Sequence, residues 1–397
     1  MLLPVPDGKA QTTGGSAPVV PDLGGYVQSL TGFQDLGYDP LISDRRSAFN
    51  GEVIRLKWLL DVPGKFRVSI HNRLQARYSS STSSSEGRSV LGFGVSAVPN
   101  RFVDLETTVI DENHIRVWHD LDRLAVTVFL DAVDITVGRQ AITWGISNVF
   151  PIGDLWAQFA PFELDTEEKP GSDAVRALFY PADGIELDAV VADRGASRDA
   201  SAGIRATVEL PFADVYGAAG KFWREFIALG GVEFVLEGWK LRGEIALPWD
   251  LDTDRSKRVR ATVGADWIVA DLQLSVEYHH NGLGASRSGD YANRLVAPEF
   301  ARGQSYYIGR HYLGAVAAHQ ATDRFTVALT GLANLCDPSI AIMPAANYDL
   351  GQSTRISLGA LTSFGAAPLF STTSLPQIDS EFGLYGDFVY TRVSVYF

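Results

Sequence analysis

The feature that most restricts this chain is a period of two. Segment after segment alternates apolar with polar side chains, and stretches with the spacing of an amphipathic helix are scarce. In 65–78, Phe66, Val68, Ile70, Leu74 and Tyr78 share one parity, against Arg67, Ser69, His71, Arg73, Gln75 and Arg77. In 271–280, Leu272, Leu274, Val276 and Tyr278 oppose Asp271, Gln273, Ser275, Glu277 and His279; in 240–248, Leu241, Ile245 and Leu247 oppose Lys240, Arg242 and Glu244. Such segments are strands with one apolar and one polar face. They fall near 24–33, 50–61, 65–78, 114–130, 134–142, 173–181, 184–193, 202–210, 213–221, 226–237, 240–248, 258–268, 271–280, 304–319, 323–334, 338–349, 353–364 and 386–397. That makes about 18 strands, inside the range of membrane barrels.

The links between them carry a second pattern. Tight turns at Pro63-Gly64, Ala132-Val133, Ala182-Asp183-Gly184, Pro211-Phe212, Glu237-Gly238, Ala270 and Ala321-Thr322 largely alternate with longer polar links at 34–49, 79–113, 143–172, 194–201, 249–257, 281–303 and 365–385. A large soluble β protein with one solvated face explains the strands but gives no reason for the links to alternate. A membrane barrel does, because its periplasmic turns are short and its outer loops long. In hydrocarbon every backbone polar group must be paired, and a closed sheet pairs them all. The expected fold is therefore all-β: a transmembrane antiparallel β-barrel of about 18 strands with a long inward-folded loop. Residues 1–22, rich in Pro, Gly, Ser and Thr, read as an irregular leader, and 23–397 as the barrel.

Composition excludes most other classes. A single cysteine, Cys336, allows neither an internal disulfide nor a cysteine metal cluster. No CxxCH is present for haem attachment, and no apolar run approaches the ~20 residues of a membrane helix. The net charge of −13 argues against nucleic acid as a partner. The first residues lack the charged start and apolar core of a signal peptide, which an exported form would carry upstream. No GxSxG, HExxH or phosphate loop appears, so no enzyme is expected. His279-His280 with Asp290, and His311, His319 with Glu299, match no metal template and read as lumen or rim polar groups. Asp250, Asp252 and Asp254, or the separate Asp349, read as solvated acids rather than a calcium loop. No cofactor or metal is expected.

Within the barrel, the inward parity is charged unevenly. The first and last strands, neighbours after closure, offer Arg55, Lys57, Arg67, Arg73, Arg77, Arg123 and Arg392, with Arg355 nearby. The middle strands offer Glu186, Asp188, Glu209, Glu233, Glu244, Asp266 and Glu277, diluted by Arg205, Lys240, Arg242 and Arg260. A basic wall facing an acidic one would set a transverse field across a pore; internal salt bridges satisfying a polar interior are the other reading. Arg139 falls on the apolar parity. Facing lipid would cost it ~2–4 kcal/mol, so a bulge must turn it inward or it must lie at the rim. It is expected, with Gln140, to meet the acidic part of the next segment or to line the pore beside it.

That segment, 143–172, is roughly thirty residues long where hairpin loops have 2–5. It mixes Trp144, Phe150, Trp156, Phe159 and Phe162 with Asp154, Glu163, Asp165, Glu167, Glu168 and Lys169. Such a composition packs, and the expectation is a constriction loop inside the barrel, anchored by its rings and presenting its acids. The runs LDRLAVTVFLD, DITVGRQAITWG and DLWAQFAPFELDTEEKPGSDAVR together resemble a block found in Gram-negative outer-membrane porins, and are similar to the alginate-export type. The resemblance covers about residues 120–180. It implies an 18-stranded barrel with inward-folded loops, acting as a passive pore of a kind that can be substrate-selective. It does not extend to alginate, since the basic lining occupies only one wall. The final strand, with Val389, Val393, Val395 and Phe397 on one parity, resembles the terminal signature read by the barrel-assembly machinery. Pairing it with the first strand abolishes both sheet edges.

The expected function is a passive outer-membrane channel for small polar or anionic solutes. Arg55, Lys57, Arg67, Arg73, Arg77, Arg139 and Arg392 would line it, and loop 143–172 would constrict it. Lipid, lipopolysaccharide and the assembly machinery are the implied partners. The alternative is a barrel that ensheathes or docks another envelope component, such as an electron-transfer cytochrome or an export or lipid-transport pump.

Overall fold

Every strand expected from the alternation is present, and the sheet that they form closes on itself. A computed structural model describes residues 20–38, 44–81, 101–193, 199–253, 255–256, 258–371 and 375–397. The barrel strands are β1 Val20–Asp35, β2 Arg46–Val62, β3 Phe66–Ser79, β4 Ile115–Phe129, β5 Val133–Gln140, β6 Ser172–Ala182, β7 Ile185–Ala192, β8 Ser201–Leu210, β9 Ala213–Phe222, β10 Glu225–Leu236, β11 Trp239–Asp250, β12 Arg260–Val269, β13 Leu272–Asn281, β14 His311–Thr322, β15 Phe325–Asn334, β16 Ser339–Asp349, β17 Thr354–Phe364 and β18 Asp387–Tyr396. Each pairs antiparallel with its successor, and β18 closes on β1, with Tyr396 opposite Tyr26 and Asp387 opposite Asp35.

Burial is inverted relative to a soluble protein. Trp58, Leu247, Leu358 and Val389 are 51, 48, 55 and 56% exposed, while Arg55, Asp122, Glu244 and Glu277 are at most 3% exposed. An apolar outside around a charged inside is stable only where the outside meets hydrocarbon. On β3 the outward face runs from Phe66 to Tyr78, with Leu74 between them. Those twelve steps cover on the order of 40 Å of strand, or roughly 30 Å across a bilayer once tilted. The span matches a hydrocarbon core.

Two irregularities shape the wall beside the inward loop. The register between β3 and β4 steps from His71–Arg123 to Asn72–Leu121, skipping Asp122. This bulge lets the consecutive side chains of Asp122 and Arg123 both point inward, which simple alternation forbids. On β5, Gly138 adopts φ +117°, and a Cβ there would meet the Leu124 carbonyl oxygen at 2.1 Å; only glycine fits. Two residues later β5 ends and the chain enters the lumen. The short strand Glu106–Glu112, which the alternation did not mark, pairs with Ile115–Asp120 and continues the wall above the point where β5 leaves.

Two expected boundaries move. The leader limit at 22 falls inside β1, which begins at Val20; residues 1–19 lie outside the described residues. The strand expected from 304 starts at His311, because Gln304–Arg310 stays in the outer loop, where Tyr307 and Ile308 pack inward. That loop also holds two short helices, α1 Tyr291–Leu295 and α2 Pro298–Ala301.

Candidate functional site: an inward loop between two charged walls

Residues 141–171 fold into the barrel, as their rings and length predicted. The half nearer β5, here called the root (142–156), lies against the middle strands. Trp144 and Trp156 are fully buried and meet edge to face at 5.2 Å, with Phe222 of β9 packed on both. Ile142, Ile152 and Leu155 join them on Ala174, Val190, Tyr216, Ile227 and Ala246 of the wall. Phe150 reaches the other flank, stacked at 5.0 Å on His279 of β13 and seated over Gly314 of β14.

The backbone of the root is held by carboxylates. Seven consecutive amide N–H groups donate to three acids. Trp144 and Gly145 donate to Asp154, both at 3.0 Å. Ile146 and Ser147 donate to Glu244 at 2.9 and 3.3 Å. Asn148, Val149 and Phe150 donate to Glu277 at 2.7, 2.9 and 3.0 Å. Tyr216 adds its hydroxyl to Glu244 at 2.5 Å, and Arg242 pairs with Glu277 at 3.1 Å and with Asp266. The indole of Trp144 donates to Asp188 at 2.7 Å, which Arg176 also pairs at 2.8 Å. Carboxylates accepting several N–H groups are a strong, charge-assisted arrangement.

This overturns one expectation. Asp188, Glu244, Asp266 and Glu277 do point inward, but they do not form an open acidic wall across a pore. The loop lies on top of them and uses them as its mount. Lower on the same strands, Glu233 pairs with Lys240 at 2.8 Å.

The remainder of the loop, its tip (163–169), faces the opposite wall. Lys57 pairs with Glu168, and Arg123 stands 3.8 Å from the same carboxylate. Arg392 donates to the Leu164 carbonyl at 2.7 Å, Arg123 to that of Lys169, and Tyr396 to Glu167 at 2.8 Å. Asp165 accepts from the Glu167 amide at 3.4 Å. Lys169 turns back to pair with Asp154, tying tip to root.

The basic wall is not purely basic. Asp120 and Asp122, fully buried, sit at its centre. Arg55 pairs with Asp122 at 2.8 Å, Arg73 with Asp120 at 3.2 Å, Arg101 with both at 2.9 and 3.0 Å, and Arg123 with Asp122 at 3.0 Å. The two aspartates were legible as the alternating Asp120-Leu121-Asp122; Arg101, from an outer loop, carried no such signal. The other expected lining residues scatter. Arg67 pairs with Asp61 at 2.8 Å near the short turns, and Arg77 lies over Trp118 at 5.8 Å toward the outer end.

Arg139 is a correction. It is 1% exposed and does not line the pore, nor does it meet the loop's acids. Its guanidinium pairs with Asp173 at 2.7 Å and donates to the carbonyls of Leu121, at 2.9 Å, and Val103. Asp173 in turn accepts the Phe102 and Val103 amides at 2.9 and 3.0 Å. The segment before Glu106–Glu112 thus covers Arg139, with Phe102 and Val103 exposed on its outer side, and the charge never meets lipid. Gln140 donates to wall carbonyls, Ala174 at 3.3 Å among them.

A second polar cluster joins the outer loops. Glu381, 1% exposed, accepts the Ile308 amide at 3.1 Å, Asn334 at 2.7 Å and the Tyr312 hydroxyl. Its own amide donates to Asp337 at 3.2 Å, which also accepts from Tyr291 at 2.7 Å. Burial raises the Glu381 carboxyl from its ordinary value to about 7, partly offset by these donors. No sequence signal marked it.

Fold and site together define a class: a membrane-spanning 18-stranded β-barrel narrowed by a loop folded into its lumen. Solved structures share that fold over nearly their whole length. The chain is similar to OccAB2 of Acinetobacter baumannii (7% identity, TM-score 0.57, covering 95% of this chain and 98% of that one). It is similar to the outer membrane protein opdK of Pseudomonas aeruginosa (8%, 0.55, 95% and 98%). It is also similar to OccK7 (OpdD) of Pseudomonas aeruginosa (12%, 0.52, 95% and 98%). Comparison with family models and with curated proteins gave no match.

Proposed function

We propose that this chain is a bacterial outer-membrane porin, a passive channel for small polar or anionic solutes whose selectivity is set between the tip of the inward loop and the wall bearing Arg55, Lys57, Arg73, Arg123 and Arg392. The observation that carries the reading is the loop itself. Five amide-to-carboxylate hydrogen bonds mount it on Glu244 and Glu277 on one side of the barrel, two more close on its own Asp154, and it presents its acidic tip to Lys57 and Arg123 on the other. Charged linings at a constriction are how barrels choose among ions. Lipid and lipopolysaccharide surround the apolar outside, and the β18 strand ending at Phe397 is what the assembly machinery would read. The nature of the site is recognition and passage, with no enzyme chemistry assigned.

The test is single-channel recording of the purified chain in a planar bilayer under a salt gradient. Stable steps are expected, with a reversal potential that moves toward cation preference when Lys57, Arg73 and Arg392 are replaced by neutral residues. A folded, heat-modifiable barrel that stays silent would end the channel reading and favour a docking role in the envelope.

A further inference from the structure

The two ends of the inward loop are held unequally. Under the root, each of seven successive amides has an acceptor. Under the tip, the wall keeps polar atoms with no hydrogen-bond partner among the described residues: Tyr26 Oη, Gln28 Nε2, Arg55 Nε, His71 Nδ1 and Arg392 Nε. These atoms belong to one patch. Tyr26 stands opposite Arg55 across β1 and β2, and opposite Tyr396 across β1 and β18. Gln28 is the next inward residue on β1, Arg392 lies opposite Leu30, and His71 lies opposite Lys57. Tyr26, Gln28 and Arg55 are 1, 3 and 0% exposed. An unmet polar group this deep is costly and demands an explanation. The patch is also cationic, with the Arg55 and Lys57 groups 5.8 and 5.4 Å from the Tyr26 ring centroid.

The wall therefore offers more donors than the tip accepts. What the tip does supply is negative charge, from Asp165, Glu167 and Glu168, and two carbonyls, that of Leu164 to Arg392 and that of Lys169 to Arg123. It covers an anion seat without filling its hydrogen-bonding capacity. A compact anion with several acceptor oxygens would answer more of these donors than the tip does. Unmet atoms occur at the root as well, Ser147 Oγ and Arg205 Nε among them, but there seven successive amides and the buried rings of Trp144, Phe150 and Trp156 hold the loop in place.

Resting on the channel reading above, we propose that the acidic tip Asp165–Glu168 is the resident occupant of an anion seat formed by Tyr26, Gln28, Arg55 and Arg392, and that a solute anion opens the channel by taking its place while the root stays mounted. The tip is then an internal competitor. Passage depends on the anion concentration as well as on the pore's width.

The test uses the full-length barrel with Cys336→Ser, so that introduced thiols react alone. In that background Lys57→Cys with Glu168→Cys is bridged in the folded protein by a short bis-maleimide. Single channels are recorded against inorganic phosphate at constant ionic strength. The unbridged form is expected to conduct, and the bridged form to lose most of its open-state current. Equal currents from both would show that the tip is fixed wall and would overturn the proposal. A second variant, Asp165→Asn with Glu168→Gln, keeps the tip's shape without its charge. It is expected to stand open without phosphate, whereas the parent chain opens more often as phosphate rises. A phosphate response like the parent's in this variant would overturn the proposal while leaving the porin reading intact. Silence of every form, the parent included, would end the porin reading, and the proposal with it.

Discussion

The root and tip of one loop, some twenty residues apart in sequence, are held by opposite strategies. The root exchanges backbone amides for buried carboxylates and buries Trp144, Phe150 and Trp156 between strands. The tip relies on ion pairs with partly exposed partners, Lys57 being 33% and Glu168 21% exposed at the side chain. Buried groups with one partner removed are expensive, whereas solvated pairs are worth little. The difference teaches where a channel of this kind stores rigidity and where it leaves freedom: the anchor is overdetermined, the constricting end is not.

The comparison can be broken most directly at Glu277. Glu277→Ala leaves Arg242 short of a partner and three amides, those of Asn148, Val149 and Phe150, without acceptors. A loss of about 3–5 kcal/mol is expected, read as a lowered temperature for the heat-induced shift in gel mobility. A loss no greater than that at the tip would erase the distinction.

A pH effect comes next, from the outer loops. The folded Glu381 carboxyl is raised from 4.5 to about 7, so folding favours its neutral form. Its stabilising contribution is complete below the ordinary value and is lost as pH rises through about 7. The barrel's thermal midpoint is expected to fall across that window and to become flatter in Glu381→Gln. An unchanged slope in the variant would remove Glu381 as the cause.

Gly314→Val probes the seat of Phe150 without touching charge. An added Cβ would meet Val149 at 2.7 Å and Phe150 at 2.9 Å. Displacing the root should cost about 1–3 kcal/mol, with noisier single-channel current as the second readout. The smallest change in stability belongs to the tip: Lys57→Met should alter it by only ~0–1 kcal/mol while measurably shifting the reversal potential. A large destabilisation there would mean that the tip is as structural as the root.

Much of the molecule was readable in the chain. Alternation located the eighteen barrel strands because the lipid and lumen faces impose opposite chemistry on neighbouring residues. The failures are instructive. Arg139 broke the parity rule because the end of β5, Gly138 and the covering segment 101–105 remove it from both lipid and lumen. Asp122 and Arg123 broke it through a bulge that pairing with β3 reveals. Glu106–Glu112 was missed because all seven of its residues are exposed and it lacks a buried face to mark.

The sequence by itself determined the barrel: the strand count, the closure of β18 on β1, the inward parity of the charges and the presence of a long aromatic loop. These follow from local periodicity and from the demand that hydrocarbon makes on every backbone group. Only the tertiary structure decided which of the inward charges remain facing the lumen. Glu277 lies 127 residues from the Phe150 amide that it accepts, and no pattern along the chain announces such a meeting. Whether a carboxylate lines a pore or carries a loop depends on what is folded against it, and that is a property of the closed barrel.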